Sequence, residues 1–218
     1  MLAACRSVPR NSRFAMHPKA ARVGITGGIG AGKTFISKIF EILRIDVYYA
    51  DERAKWLQTH DPTLVHQIRE AFGPQAYDSE GSLNRTFLAS EVFSDRKKLA
   101  SLNQLVHPRV AEDYQQWSEQ RANHFYTIKE AALLYETKAY QQLDRVINVN
   151  APEAVRVQRV LQRDPQRSSE EVLRIIRQQL SDEERSRRAD YTIDNSGTVP
   201  LLPQILPIHN SLINYTVA

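Results

Sequence analysis

A glycine-rich segment that ends in lysine and threonine carries the residues of this chain whose types and spacing could do chemistry. Gly27 is followed by four residues and then by Gly32, Lys33 and Thr34, which is the spacing of a phosphate-binding loop. The glycines let successive backbone N–H groups approach phosphate oxygens, and the positive end of a following helix dipole favours the same anion. We expect Lys33 to reach the β- and γ-phosphates of a nucleoside triphosphate, and the Thr34 hydroxyl to ligate the Mg²⁺ that bridges them.

The sequence on both sides of this loop fits a strand and a helix. Val23-Gly24-Ile25 is strand-like, and apolar residues recur at helical spacing between Phe35 and Leu43. We expect this apolar stripe to be buried against a sheet; it consists of Ile36, Ile39, Phe40 and Leu43. The alternative, a glycine turn without a ligand, is disfavoured because both flanks agree with a phosphate loop. The loop residues predicted to contact ATP are Gly27, Gly28, Ile29, Gly30, Ala31, Gly32, Lys33, Thr34 and Phe35.

Composition limits the class of protein. The chain has 218 residues, of which 42% are hydrophobic and 25% charged, so it can form one α/β core with an inserted or appended subdomain. No apolar run approaches the length of a membrane span, and we expect no membrane partner. Cys5 is the single cysteine, which excludes an internal disulfide framework and fits a reducing cytoplasm. We therefore predict a cytoplasmic protein.

The positive net charge comes from one end of the chain. Residues 1–22 contain five basic residues and no acidic one, and the rest of the chain has 24 basic and 25 acidic residues. A nearly neutral body gives no reason to expect nucleic-acid binding. The basic segment lacks the apolar stretch of a secretory signal, so we interpret it as a disordered extension or an over-long start, with Met16 as the alternative initiator.

An aspartate stands where a second short strand meets a helix. The strand pattern of residues 44–49 ends at Ala50-Asp51, and a helix pattern runs from Glu52 to Gln58. In an open parallel sheet ligands collect at the carboxyl ends of the strands, which places Asp51 on the same edge as the phosphate loop. We predict that Asp51 orients an acceptor hydroxyl and accepts its proton. The alternative is that Asp51 only caps the helix.

The remaining elements complete a parallel sheet with a helical insert. Residues 63–121 are mostly helical without a good strand, and Asp78-x-x-Gly81 fits a turn rather than a GTPase switch motif. Strand patterns return at residues 125–128, running towards 133–136, and at two later positions, 146–149 and 191–194. Inserts of this kind in phosphoryl-transfer enzymes commonly hold the acceptor substrate.

Arginines concentrate on a predicted helical hairpin. Arg156, Arg159 and Arg163 share one helix face, and a second helix begins with a capping box at Ser168 and is expected to continue to about Arg188. The pair could be a solvated helical hairpin with salt bridges. It could equally be a mobile lid that brings guanidinium groups onto a triphosphate, in which case Arg159 and Arg163 are the expected ligands.

Taken in order, these motifs closely resemble those of the dephospho-CoA kinase family. The resemblance extends from about Val23 to Gly197, far beyond the phosphate loop itself. Its distinctive segments are Thr26-Gly27-Gly28-Ile29-Gly30, Ala50-Asp51 followed by Arg53-Ala54, Leu83-Asn84-Arg85 ahead of Val92-Phe93, Val106-His107-Pro108, Leu133-Leu134-Tyr135-Glu136, Arg159 with Arg163-Asp164, Gln179, and Ala189-Asp190-Tyr191-x-Ile193-x-Asn195-x-Gly197.

The resemblance implies both an activity and an architecture. The activity is transfer of the γ-phosphoryl group of ATP to the 3′-hydroxyl of the dephospho-CoA ribose, the last step of coenzyme A synthesis, with Mg²⁺ as cofactor. The architecture is a P-loop NTPase-type parallel sheet flanked by helices, with a helical substrate-binding insert and a helical lid. The predicted division is a basic tail (1–21), a nucleotide-binding core (22–55, 124–154 and 189–218), a CoA-binding insert (56–123) and a lid (155–188).

The resemblance also suggests roles for individual residues. Asp51, Lys33 and Arg159 become the catalytic candidates, and Asn195 and Gly197 fall at the adenine end of the ATP site. The substrate-binding candidates besides Asp51 are Arg85, His107 and Glu136, with Arg109 a further ligand candidate in the insert. For His107 the alternative is a residue at a helix boundary before proline, and for Glu136 a surface acid.

The chain departs from the family pattern at two positions. Tyr49 stands where the family often has a second acid, and Ala132 where it often has proline. Tyr49 removes a possible second contact to metal or hydroxyl, so a single-carboxylate mechanism is expected.

Two alternatives to this activity stay open at the level of sequence. A kinase acting on a nucleoside or nucleotide would have the same core and lid, because the insert alone discriminates between acceptors. A nucleotide-regulated binding protein or GTPase is disfavoured, because the chain has neither an Asn-Lys-x-Asp motif nor an Asp-x-x-Gly motif that follows a strand.

Overall fold

The computed structural model describes residues 20–217, and of Phe93 and Ser94 the backbone alone. The predictions for the tail, including those for Cys5 and Met16, lie outside the described residues. The strands are β1 (Ala21–Thr26), β2 (Val47–Tyr49), β3 (Tyr126–Glu130), β4 (Arg145–Asn150) and β5 (Tyr191–Asp194). The helices are α1 (Lys33–Ile42), α2 (Ala50–His60), α3 (Pro62–Phe72), α4 (Arg85–Ser94), α5 (Arg96–Glu119), α6 (Glu153–Arg163), α7 (Ser169–Gln178), α8 (Asp182–Arg188) and α9 (Leu202–Ile213).

The five strands form one parallel sheet in the order β2-β3-β1-β4-β5. Strand β1 lies at its centre, with Ile25 in register with Glu130 of β3 on one side and with Ile147 of β4 on the other. The carboxyl ends of all five strands therefore meet at one edge, and connections from β1 and β3 leave that edge in opposite directions. Ligands of open α/β sheets bind at such a point.

The main core lies between β1, its neighbouring strands and helices α1 and α9. Ile36 and Phe40 of the predicted apolar stripe are fully buried, and Ile39 and Leu43 are partly buried against the same core. Burying a side chain of this size contributes about 1.5–3 kcal/mol to folding. This packing fixes α1 directly behind the phosphate loop.

Helices α2 to α5 form a second apolar cluster that includes Leu57, Leu64 and Val106. Asp61 caps α3 by accepting a hydrogen bond from the Leu64 N–H at 2.9 Å, and it also accepts one from Arg109 Nε at 2.9 Å. Arg109, a predicted ligand candidate, therefore ties α5 to the start of α3. No helix of the described residues is long and apolar enough to cross a membrane.

Three predicted boundaries are wrong. Strand β2 is only three residues long, and the chain after β3 forms turns at 132–138 instead of continuing as a strand. The second lid helix begins with the predicted capping box at Ser168, but it ends at Gln178. Helix α8 follows as a separate element, because the Ser181 hydroxyl caps it by accepting a hydrogen bond from the Glu184 N–H at 3.2 Å.

Candidate active site

The loop between β1 and α1 needs glycine for two separate reasons. Gly30 and Gly32 have φ angles of 76° and 93°, a left-handed conformation that side chains rarely adopt. A Cβ at Gly30 would also collide with the backbone of Arg156, and one at Gly32 with the side-chain amide of Asn195. The loop is thus packed from behind by α6 and by the segment after β5, and α1 starts immediately after it at Lys33.

Lys33 is buried inside the concave face of the loop. Its Nζ donates hydrogen bonds to the backbone oxygens of Gly27 at 3.0 Å and Gly28 at 3.4 Å. Burial lowers the pKa of Lys33, and the charges of Glu130 and Asp51 oppose that shift. Two carboxylates therefore lie close enough to stabilise the ammonium in its charged form.

Glu130 is a site residue that the sequence analysis missed. It ends β3 and is 7% exposed, and its Oε2 accepts a hydrogen bond from Thr34 Oγ1 at 3.3 Å. Burial raises the pKa of Glu130, while the charge of Lys33 lowers it. The available signal was an acid closing an apolar strand, but β3 was expected to continue towards Glu136.

Asp51 lies in the first turn of α2 and does not cap it. The N-cap position is Tyr49, and no side-chain capping hydrogen bond is present there, so the alternative of Asp51 as a mere cap is wrong. Asp51 lines a cavity of about 660 Å³, the loop cavity, together with Lys33, Thr34 and Glu130. The exposed carboxylate therefore faces the phosphate loop.

Asp51 also lines a second cavity of about 590 Å³, the insert cavity, between α2, α5 and the segment after β3. His107 and Pro108 line it from the interior of α5, so the alternative of a helix-boundary histidine is wrong. Burial lowers the pKa of His107. On the sheet side the insert cavity is lined by Lys129, and burial lowers the pKa of Lys129 to about 8, with the like charge of Arg22 adding to the shift.

The arginines of α6 lie at different depths. Arg159 Nη1 is buried without a hydrogen-bond partner among the described residues, 3.9 Å from where a Cβ on Gly32 would be. Arg163 lines the loop cavity and donates to the carboxylate of Asp164. Arg156 is 3% exposed and donates from Nη2 to Asp182 Oδ2 at 2.9 Å, which ties α6 to α8 behind the loop.

Glu136 and Gln179 connect the lid segment to the core. Glu136 Oε1 accepts a hydrogen bond from the Leu180 N–H at 3.0 Å, so it is not a free surface acid. Gln179 Oε1 accepts one from the Ile29 N–H of the phosphate loop at 2.9 Å. Both side chains line the loop cavity.

The other predicted residues lie in different places. Asn195 is buried and donates from Nδ2 to the Ala31 backbone oxygen at 2.7 Å, which supports the loop. Gly197 has a φ of 96° and open space around it, in the turn after β5. Arg85 is exposed at the start of α4 and lines neither cavity, so the structure does not bring it to the site.

A phosphate loop at the carboxyl edge of a parallel sheet binds nucleotides in many proteins, but a second cavity that opens onto it through a shared carboxylate suits an enzyme with a second substrate. The fold and the site together define a P-loop kinase. The family model for dephospho-CoA kinase matches residues 21–200. The chain belongs to the dephospho-CoA kinase family, as its motifs predict, and this family catalyses the ATP-dependent phosphorylation of dephospho-CoA.

Curated relatives and solved structures agree with this family. The chain is 37% identical over 189 residues to a dephospho-CoA kinase from Bacteroides fragilis, covering 87% of the chain and 91% of the relative. It is 38% identical over 182 residues to one from Chlorobium chlorochromatii, covering 81% and 85%. The structure of TT1252 from Thermus thermophilus matches with a TM-score of 0.78 at 30% identity, covering 88% of this chain and 97% of that one. Dephospho-CoA kinase from Campylobacter jejuni shares the fold, with a TM-score of 0.62 at 22% identity over 88% and 96%.

Proposed function

We propose that this enzyme transfers the γ-phosphoryl group of ATP to the 3′-hydroxyl of dephospho-CoA, giving coenzyme A and ADP. The observation that carries the proposal is the position of Asp51, whose side chain lines both the loop cavity and the insert cavity. A donor in the first cavity and an acceptor in the second would meet at this carboxylate. Membership of the dephospho-CoA kinase family supports the choice of acceptor.

The donor triphosphate binds in the loop cavity. Backbone N–H groups of residues 27–34 surround its phosphates, and Lys33 exchanges its two carbonyl contacts for β- and γ-phosphate oxygens. The unpartnered Nη1 of Arg159 supplies a further donor beside Gly32. These cations act by positioning the phosphates and neutralising their charge, since phosphoryl transfer needs little covalent chemistry from the protein.

Thr34 and Glu130 fit a Mg²⁺ site. Their side-chain oxygens lie 3.3 Å apart beside Lys33, and Mg²⁺ in kinases takes oxygen ligands from one or two carboxylates and from the substrate phosphates. A Mg²⁺ held by these two residues would supply positive charge against the negative charge that develops during transfer. Tyr49 lines the loop cavity at the position where the family often has a second acid. Glu130 lines the same cavity, and we propose that it supplies the second carboxylate.

The acceptor binds in the insert cavity with its hydroxyl at Asp51. The carboxylate accepts a hydrogen bond from the 3′-hydroxyl and aligns its oxygen with the γ-phosphorus. It takes the proton as the new P–O bond forms, while the bond from the γ-phosphorus to the bridging oxygen breaks and ADP leaves. His107 contacts the acceptor from α5. Glu136 acts indirectly, because it holds the backbone of the lid segment at Leu180.

The lid segment closes over the donor. Arg163 then leaves the carboxylate of Asp164 for the phosphates, and Gln179 releases the Ile29 N–H to a phosphate oxygen. Closing the site excludes water, which limits hydrolysis of ATP in place of transfer.

The adenine end of the site lies at the turn that contains Gly197. The cytoplasmic location and the lack of a nucleic-acid partner stay predictions from composition.

The test is ADP release from Mg·ATP with and without dephospho-CoA, with AMP, cytidylate and adenosine as competing acceptors. We expect release that depends on dephospho-CoA, and a product whose phosphate is located at the 3′ position by mass spectrometry and NMR. Stimulation of ADP release by a different acceptor would support a kinase activity but contradict dephospho-CoA as the acceptor. A 2′-phosphate product would overturn the position of transfer.

A further inference from the structure

Lys129 occupies an unusual place for a charged side chain. It is 3% exposed in β3, and it points to the opposite face of the sheet from Ile128 and Glu130 because side chains alternate along a strand. Its Nζ lies 4.2 Å from the centroid of the Tyr114 ring on α5. Within residues 20–217 it makes no hydrogen bond and no ion pair, and its side chain lines the insert cavity.

An ammonium in this position is costly unless something anionic binds it. A buried charge is normally paired, and a contact with an aromatic face contributes only about 0.5–2 kcal/mol. The Tyr114 ring also leaves the three N–H donors of Lys129 without acceptors. Asp51 carries the one carboxylate among the residues that line the insert cavity, and within residues 20–217 it makes no ion pair with Lys129. The uncompensated charge indicates an anionic ligand.

The acceptor supplies such an anion at a suitable place. Dephospho-CoA carries a pyrophosphate on the 5′ carbon of the same ribose whose 3′-hydroxyl reacts. If the hydroxyl is at Asp51, the pyrophosphate must lie in the insert cavity about one ribose away. Lys129 and Asp51 line that one cavity from β3 and from α2.

We infer that Lys129 binds the pyrophosphate of the acceptor and thereby selects acceptors that carry a phosphate ester at the 5′ carbon. The inference rests on the proposed function, but it concerns a binding contact and not the transfer step. Lys129 contributes to acceptor affinity, and the free enzyme is less stable because of its buried charge.

The first test compares Lys129→Met, Lys129→Gln and Lys129→Arg in the full-length enzyme. We expect Lys129→Met and Lys129→Gln to raise KM for dephospho-CoA about tenfold or more, with kcat and KM for ATP changed less than about threefold, because one charge-assisted contact is lost. Lys129→Arg keeps the charge and should hold KM for dephospho-CoA within about threefold of wild type. Removing a buried, unpaired charge should raise the Tm of the Met variant by about 2–5 °C.

Lys138→Met is the matched control, because Lys138 is an exposed cation at the rim of the same cavity. It should raise KM less than about threefold, since an exposed charge is screened by solvent. If Lys138→Met and Lys129→Met raise KM for dephospho-CoA equally, the inference is wrong, because the cations then act through the overall charge of the cavity and not through a specific contact. A lower Tm with equal losses in kcat/KM for ATP and for dephospho-CoA would mean that Lys129 only supports Tyr114.

Direct binding separates this inference from the proposed function. Dephospho-CoA is titrated calorimetrically into wild type and Lys129→Met, with the loop cavity filled by a non-hydrolysable ATP analogue. Wild type that binds dephospho-CoA in this titration, but releases no ADP when Mg·ATP replaces the analogue, would contradict the proposed transfer and leave the contact testable. Equal affinities in the two proteins would overturn the role of Lys129, whatever the activity.

Discussion

The proposed action of Asp51 on a hydroxyl is supported by its exposure in the first turn of a helix whose backbone it does not cap. Its carboxylate therefore has no structural partner to lose when it turns to a substrate. The charge of Asp51 in turn opposes the lowering of the Lys33 pKa by burial. The same residue borders the two cavities that would hold donor and acceptor.

Asp51→Asn should lower kcat by about 10²–10⁴, because a general base contributes rate factors of that size and an amide cannot accept the proton. The Kd for ATP and the Tm should change little, since the side chain caps nothing. The measurement is steady-state turnover with dephospho-CoA, beside thermal unfolding and ATP titration. Glu52→Gln, which neutralises the neighbouring acid in the same turn, should lower kcat less than about threefold. Turnover near wild type in Asp51→Asn would remove the base assignment.

At the scale of elements, the end of β3 and the start of α1 hold the candidate metal ligands together. Parallel pairing puts Glu130 in register with Ile25, one residue before the end of β1, and α1 brings Thr34 to the same edge after the loop. Neither element alone would make the pair. Burial raises the pKa of Glu130, and the charge of Lys33 and the hydrogen bond from Thr34 oppose that shift.

Glu130→Gln should raise the Mg²⁺ concentration for half-maximal activity about tenfold or more, because losing a ligand or its close partner typically costs that factor in metal affinity. The Glu130→Gln variant should fold normally, because the substitution removes a buried charge. The measurement is activity against Mg²⁺ concentration at fixed, saturating ATP. Glu136→Gln lies in the same cavity but contacts the lid, so its Mg²⁺ requirement should match wild type. Identical Mg²⁺ curves for wild type and Glu130→Gln would contradict the assignment.

Some helix and strand boundaries could be predicted from the sequence, and others could not. The phosphate loop and its flanking strand and helix follow from glycine spacing and apolar periodicity, so they were predictable. The end of β3 was not, because Glu130 is followed by Ala131-Ala132-Leu133-Leu134, and a buried parallel strand has no alternating pattern to show where it stops. The break between α7 and α8 was missed because the Ser181 cap lies between two runs of helix-forming residues, Arg177-Gln178-Gln179-Leu180 before it and Asp182-Glu183-Glu184 after it.

The candidate site shows the same division. Lys33 and Thr34 belong to the phosphate-loop motif, and Asp51 follows a strand pattern. The sequence alone therefore predicts that these three residues lie at the site. Glu130 and Lys129 come from neighbouring positions of one strand and face different cavities, which only the register and the packing of α5 reveal. The family resemblance predicted the acceptor, and no physical feature of the sequence could have done so.

At the scale of the whole molecule, the lid segment is joined to the core by few side-chain contacts at the loop cavity, among them Glu136 to Leu180 and Gln179 to Ile29. Arg159 lies deeper, with a buried donor that has no partner in the described part of the chain. A nucleotide that binds both the core and Arg159 would therefore add contacts that the free protein lacks. Such binding to the folded state must appear as increased stability.

Mg·ATP at about 100 times its Kd should stabilise the folded enzyme by about 2.7 kcal/mol, which raises the Tm by about 5–10 °C. Arg159→Ala should weaken ATP binding about 30-fold, so the same ATP concentration then gives only about 0.9 kcal/mol, or about 2–3 °C. Arg163→Ala should lose less, because the free enzyme already pairs Arg163 with Asp164 and part of its contact energy is spent on breaking that pair. The measurement is thermal unfolding of the three proteins with and without Mg·ATP, in the absence of acceptor. An ATP-induced shift in Arg159→Ala equal to that of wild type would mean that ATP is held by the core alone and that α6 supports the loop without touching the nucleotide.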